Sequence, residues 1–135
     1  MKINRLSVNN YYNDNYNNDL VINCTRNNIN ELPKLGLGNP FLESEWGLKE
    51  CIEKFENFEY FKKKYLKLKS IIDSKNVDNV YLLCFCDEKQ PCHCDKYLAR
   101  LDKDGYCIGD KIWGILMEIA LPLRLFVVVI AIKKI

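Results

Sequence analysis

A single three-layer α/β domain with a mostly parallel sheet is the architecture this sequence predicts. Two short apolar runs, Leu20–Cys24 and Val80–Cys86, read as strands, and each is followed by a segment of helical character. The second run lacks the apolar–polar alternation of a half-exposed strand, as expected where both faces are covered. Strand, helix, strand, helix in that order implies helices packed on a sheet with at least two parallel strands. A length of 135 residues suits one domain built around one core.

Composition narrows the functional classes. Apolar residues make up 48% and charged residues 28%, the balance of an ordinary globule. A net charge of +2 is too small to attract nucleic acid or an anionic membrane, so neither is an expected partner. The chain has seven cysteines: Cys24, Cys51, Cys84, Cys86, Cys92, Cys94 and Cys107. Met1–Asn18 has no apolar h-region, so no secretory signal is expected. Thiols gathered in one turn without an export signal read as reduced: buried, metal-binding or catalytic. A cytoplasmic location follows as the expectation.

Along the chain, residues 1–18 are expected to be an Asn-rich arm or loop, with the domain occupying 19–135. Val8–Asn18 is mostly Asn, Tyr and Asp and offers too few apolar groups to offset the entropy of ordering. Leu20–Cys24 is the first core strand. In Leu35-Gly36-Leu37-Gly38-Asn39-Pro40-Phe41 the glycines permit positive φ, and Pro40 keeps Asn39 out of the helical region. Glu43–Ser74 is helical: Leu48, Ile52 and Phe55, then Phe58, Phe61, Tyr65, Leu68 and Ile72, recur at helical spacing. A phase shift near Asn57 predicts two helices or a bend. Lys62, Lys63, Lys64, Lys67 and Lys69 fall largely on the opposite face, as a solvated stripe does.

Val80–Cys86 is the expected central strand. After a turn over Asp87–Gln90, Pro91 opens a helix reaching about Leu101, proline being suited to a first helical position. The apolar tail, 112–135, predicts a helix over Ile112–Leu121 and a strand over Leu125–Ile132. A bilayer span fits the tail poorly, because it contains Glu118, Pro122 and Arg124. Each charge near the bilayer centre costs roughly 2.5–3.5 kcal/mol.

Chemistry concentrates in Cys84-Phe85-Cys86 and Cys92-His93-Cys94. Residues two apart on a strand share a face, which points Cys84 and Cys86 the same way at the strand's carboxyl end. Open α/β sheets place their ligands at that end. Cys92 and His93 fall at the start of the next helix, where unpaired N–H groups favour an anion or a thiolate. Three readings stand side by side. The cysteines are small buried hydrophobes; or three of Cys84, Cys86, Cys92, His93 and Cys94 bind zinc, although C-x-C is not the C-x2-C knuckle spacing; or the turn walls a ligand pocket, with Cys92 and His93 as catalytic candidates. No Ser-His-Asp order, Walker loop or dinucleotide fingerprint is present.

Leu37-Gly38-Asn39-Pro40-Phe41, Leu83-Cys84-Phe85-Cys86 and Cys92-His93 together resemble an uncharacterised family of small α/β proteins of bacteria and their phages, domain of unknown function 4326. Its pattern is a strand ending in arginine, an L-G-N-P-F loop, a helix, and C-W-C…C-H-G opening a last helix. The resemblance spans about residues 21–101, with Arg26 at the place of the arginine. Phe85 stands where that family has Trp, and Cys94 where it has Gly. The resemblance implies a site without supplying a reaction.

The expected pocket is therefore Arg26, Gly38, Asn39, Cys84 and Cys86 as ligand contacts, with Cys92 and His93 as reactive groups. The expected ligand is a phosphorylated or nucleotide-like small molecule, in a phage setting for nucleotide processing or capture of a host signalling nucleotide. The competing expectation is a non-enzymatic interaction protein with a structural, zinc-bound cysteine turn.

Overall fold

The computed structural model describes residues 1–86 and 90–109. Along them run β1 (Lys2–Ser7), α1 (Val8–Tyr11), β2 (Leu20–Asn23), α2 (Glu43–Trp46), α3 (Leu48–Asn57), α4 (Phe61–Asp73), β3 (Asn79–Cys84) and α5 (His93–Lys103). The sheet order is β1-β3-β2 and both pairings are parallel, giving a small α/β domain with β3 in the middle. Its central place explains the unbroken apolar run in its sequence: Val80, Leu82, Leu83 and Cys84 are all fully buried.

Alternation along the strands divides the core in two. Ile3, Ile22, Val80, Leu82 and Cys84 face Phe55 of α3, Phe61, Tyr65, Leu68 and Ile72 of α4, and Tyr97, Leu98 and Leu101 of α5. Leu6 and Leu83 face the other way, onto Val8, Ile29 and the half-buried Tyr11, Tyr16 and Tyr81. Burial of each large aliphatic or aromatic side chain contributes roughly 1.5–3 kcal/mol, so the first cluster dominates.

The expected arm over 1–18 is corrected by β1 and α1. Lys2–Ser7 is a strand in register with β3, from Lys2 opposite Asn79 to Ser7 opposite Cys84, and Ile3 also bridges Ile108 on its other side. Its sequence reads as polar because its middle residue, Arg5, is charged yet buried against an acid on α5. The helical stretch breaks at residues 58–60, near the phase shift at Asn57, and again at Gly47, whose φ of 79° suits glycine. The last helix begins at His93 rather than Pro91, because the Cys92 side chain caps it. The readings of Ile112–Leu121 and Leu125–Ile132 lie outside the described residues.

Candidate functional site

Parallel pairing brings the carboxyl ends of β2 and β3 together. The Cys24 N–H donates to the Leu83 carbonyl at 3.0 Å, which sets Cys24 beside Cys84 just past the end of β2. The chain then turns sharply. Asn23 Oδ1 accepts from the Thr25 N–H at 2.9 Å and from the Thr25 hydroxyl at 2.7 Å, and Asn23 Nδ2 donates to the Asn27 and Leu32 carbonyls. This local network fixes the turn that carries Arg26.

The Gly38–Asn39 loop is held against that turn. A β-carbon on Gly38 would sit 2.8 Å from Arg26 Cγ and 3.0 Å from both the Arg26 nitrogen and the Thr25 carbonyl carbon. Gly38 is thus needed for close approach to the protein's own backbone, not to a ligand. Asn39 is buried; its Nδ2 donates to the Cys51 carbonyl and its Oδ1 accepts from the Phe41 N–H, both at 3.0 Å. Its side chain locks loop to helix α3. Arg26 Nη1 donates to the Asn39 carbonyl at 3.2 Å and is otherwise on the exposed rim.

At the start of α5, Cys92 is the N-cap and wholly buried. Its Sγ accepts from the Cys94 N–H at 3.5 Å, while its own N–H donates to Asp95 Oδ2 at 3.0 Å. The helix terminus expected to hold a phosphate is therefore occupied by sulfur and carboxylate from the chain itself. Arg5 Nη1 lies 2.9 Å from Asp95 Oδ1 and donates to the Gln90 carbonyl at 2.7 Å, so a strand-borne cation braces both the acid and the chain entering the helix.

His93 is half-buried, packed edge-on against Phe55 with ring centroids 5.3 Å apart. Its Nε2 is 2.7 Å from the Cys24 carbonyl oxygen. A carbonyl only accepts, so Nε2 carries a proton, and Nδ1 is left facing Cys92 Sγ at 3.5 Å. Hydrogen bonding to Cys84, then to Cys94, and the His93 charge draw the Cys92 thiol down to about 5, against burial and the contact with Cys86. Burial opposes protonation of His93, but the Cys92 charge and the bonds to Cys92 and Cys24 lift it to about 9. The two shifts favour charge on both groups, as close contact between a thiol and an imidazole does. Hydrogen bonding to Cys84, followed by burial, pushes Cys86 up to about 11, and burial raises Cys94 well above the ordinary thiol.

A cleft of about 100 Å³ opens above this pair. Thr25, Arg26, Asn39, Phe41, Glu43, Cys51, Phe85, Cys86, Cys92 and His93 are among its walls. Cys84 and Cys94 lie behind it, buried with Cys92 in a group whose three sulfurs are all within 4.8 Å of one another. Such a group can hold a metal ion. Because β3 ends at Cys84, the two-residue strand alternation does not carry on to Cys86; Cys86 is half-buried in the loop beyond.

Residues 8–103 match the sequence profile of a domain of unknown function, DUF4326. The chain belongs to this family. No curated protein and no solved structure matches it significantly. The DUF4326 match begins at Val8, which leaves β1, and with it Arg5, outside the matched residues. All the residues expected at the pocket fall within the DUF4326 match. Arg26, Asn39, Cys86, Cys92 and His93 line the cleft; Gly38 and Cys84 do not, Gly38 lying against the Thr25–Arg26 turn and Cys84 being buried beside Cys92 and Cys94.

Arg5, Asp95 and Cys24 were not expected at the site, nor were the cleft-wall residues Thr25, Phe41, Glu43 and Cys51. Cys24 had a signal, since it follows the β2 run as Cys84 ends the β3 run. Asp95, three residues after Cys92, fits the spacing of a capping box. Arg5 had none, because burial of an arginine depends on a partner 90 residues away.

Proposed function

We propose that this DUF4326 protein binds a phosphorylated, nucleotide-like small molecule in the Arg26–His93 cleft, with Cys92 and His93 as its reactive pair. The observation that carries the reading is the convergence of a cationic rim, Arg26, and a thiol–imidazole pair on one cleft at the carboxyl ends of parallel strands. Open α/β sheets bind ligands there. Ligand pockets commonly measure about 300–1,000 Å³, so this cleft suits one end of such a ligand, an anionic group beside Arg26 and His93. Phe85, largely exposed at the mouth, offers an apolar face to a ring beyond it. Processing of a nucleotide and capture of a signalling nucleotide both fit this arrangement.

The second reading is an interaction protein whose cysteine turn is stapled by zinc. It is favoured by one observation, the buried sulfur group of Cys84, Cys92 and Cys94.

Native mass spectrometry of freshly purified protein, with calorimetric titration of nucleoside monophosphates, the matching nucleosides and inorganic phosphate, separates the two. Binding of the phosphorylated compounds that weakens in Arg26→Ala supports the cleft. Metal retention with no binding of any of them supports the staple.

A further inference from the structure

Five sulfurs converge where three elements meet. Cys24 follows β2, Cys84 ends β3, Cys86 follows it, and Cys92 and Cys94 open α5. Cys94 neighbours Cys24, Cys84 and Cys92, while Cys86 neighbours Cys84 and Cys92. Packing alone does not require sulfur at these places. An N-cap in particular is ordinarily Ser, Thr, Asp or Asn, yet Cys92 fills it and turns its Sγ toward two other buried thiols.

The geometry points to a metal centre with an open position: Cys84, Cys92 and Cys94 hold a thiophilic divalent cation of the zinc class, and its fourth position faces the cleft. Tetrahedral zinc–thiolate bonds of about 2.3 Å place sulfurs about 3.8 Å apart. The three sulfurs here are mutually within 4.8 Å, so closure needs a shift of about 1 Å or less. Binding displaces the thiol protons to solvent. A divalent ion on three thiolates keeps one net negative charge, which the amino end of α5 and the neighbouring Arg5 guanidinium stabilise.

Among the described residues the group offers three ligands, the pattern of a centre that meets an exogenous group, whereas structural zinc is closed by four protein ligands. Of the three, only Cys92 belongs to the cleft wall; Cys84 and Cys94 are behind it. The fourth side therefore looks into the cleft. The sulfur group does not include His93, whose Nε2 is committed to the Cys24 carbonyl and whose Nδ1 faces Cys92 Sγ. The direction of the open position rests on the cleft being the ligand site; the metal centre itself does not.

The test is titration of the full chain, reduced and freed of metal by chelator, with cobalt(II) as a coloured substitute for zinc. One cobalt per chain is expected, with thiolate charge-transfer absorption and the strong ligand-field bands of a tetrahedral site. Cys84→Ser and Cys94→Ser should each weaken binding by at least about 100-fold, beyond the 10–100-fold lost with an outer partner. Cys107→Ser should leave it unchanged.

Should a variant unfold, the unaltered chain still answers. In urea sufficient to open the metal-free fold, zinc should protect Cys84, Cys92 and Cys94 together from alkylation, read by peptide mass spectrometry, and leave Cys107 labelled. Inorganic phosphate or azide added to the cobalt protein should shift the ligand-field bands. Absence of saturable binding, or binding indifferent to Cys84→Ser and Cys94→Ser, overturns the centre. Bands that ignore both anions, with binding lost in Cys24→Ser or Cys86→Ser, overturn the open position. None of these readouts needs a nucleotide, so a failure of the cleft reading remains distinguishable.

Discussion

Arg5 and Asp95 form a buried ion pair across the junction of β1 and α5, with Arg5 Nη1 2.9 Å from Asp95 Oδ1. Asp95 also accepts from the Cys92 N–H, so the pair connects β1 to the residue that caps the helix. Removing one partner of a buried pair strands the other charge and costs about 3–5 kcal/mol. Arg5→Ala and Asp95→Ala are each expected to fall in that range by urea unfolding. The double variant Arg5→Met/Asp95→Leu should be less destabilised than the two single losses added together, since no charge is left alone. A double loss equal to the sum would show that the two side chains act independently.

The Cys92–His93 pair predicts a particular pH dependence of the metal-free protein. Cys92 is depressed to about 5 from 9.0, so its stabilisation is complete above the unfolded value and is lost as pH falls through about 5. His93 is raised from 6.5 to about 9, so its stabilisation is complete below 6.5 and is lost as pH rises through about 9. Counting protons on both groups, the unfolded chain holds one more than the folded chain between about 5 and 6.5, and stability rises with pH there. Between 6.5 and 9 the counts are equal and their contribution is flat. Chemical denaturation across this range checks the shape. Thiolate ultraviolet absorbance, which needs no reagent to enter, should titrate near 5 and move upward in His93→Ala.

Asn39→Ala removes the bonds to the Phe41 N–H and the Cys51 carbonyl. Leaving a buried polar group without its partner costs about 1–3 kcal/mol. Stability should fall by that amount, and amide exchange should quicken first over Asn39–Phe41. Uniform exchange across the chain would mean that the loop is not tied down through Asn39.

Gly38→Ala forces a β-carbon against the Thr25–Arg26 backbone. Overpacking of this kind costs about 1–3 kcal/mol. The displaced turn should also carry Arg26 away from the rim. Weaker phosphate affinity together with lower stability is the expected outcome; a variant as stable as the parent would show that the contact is easily relaxed.

Much of the architecture was legible because it depends on local pattern. The run that became β2 is short and β-branched, the run that became β3 lacks polar alternation, and Phe55, Phe61, Tyr65, Leu68 and Ile72 kept the helical period into the core. That the cysteine–histidine turn gathers thiols and an imidazole was legible from residue type alone. What escaped notice depends on distant partners. β1 reads as polar until Asp95 compensates Arg5, and Gly38 looks like a source of backbone freedom until the Thr25–Arg26 turn lies against it. The helix start was misplaced by two residues, since Pro91 is the stronger statistical signal but Cys92 and Asp95 make the cap.

The middle position of β3 also bears on how the chain folds. β1 and β2 never touch as a pair; each must wait for β3, whose first residue, Asn79, pairs with Lys2. During synthesis both strands emerge long before the segment that joins them, so sheet formation is a late and non-local event, the kind that slows folding. Until then Cys24 meets neither Cys84 nor Cys92, and its thiol is open to solvent and oxidants. Protection of Cys24, Cys84, Cys92 and Cys94 is thus a property of the finished fold, completed only when the central strand and the helix after it are both in place.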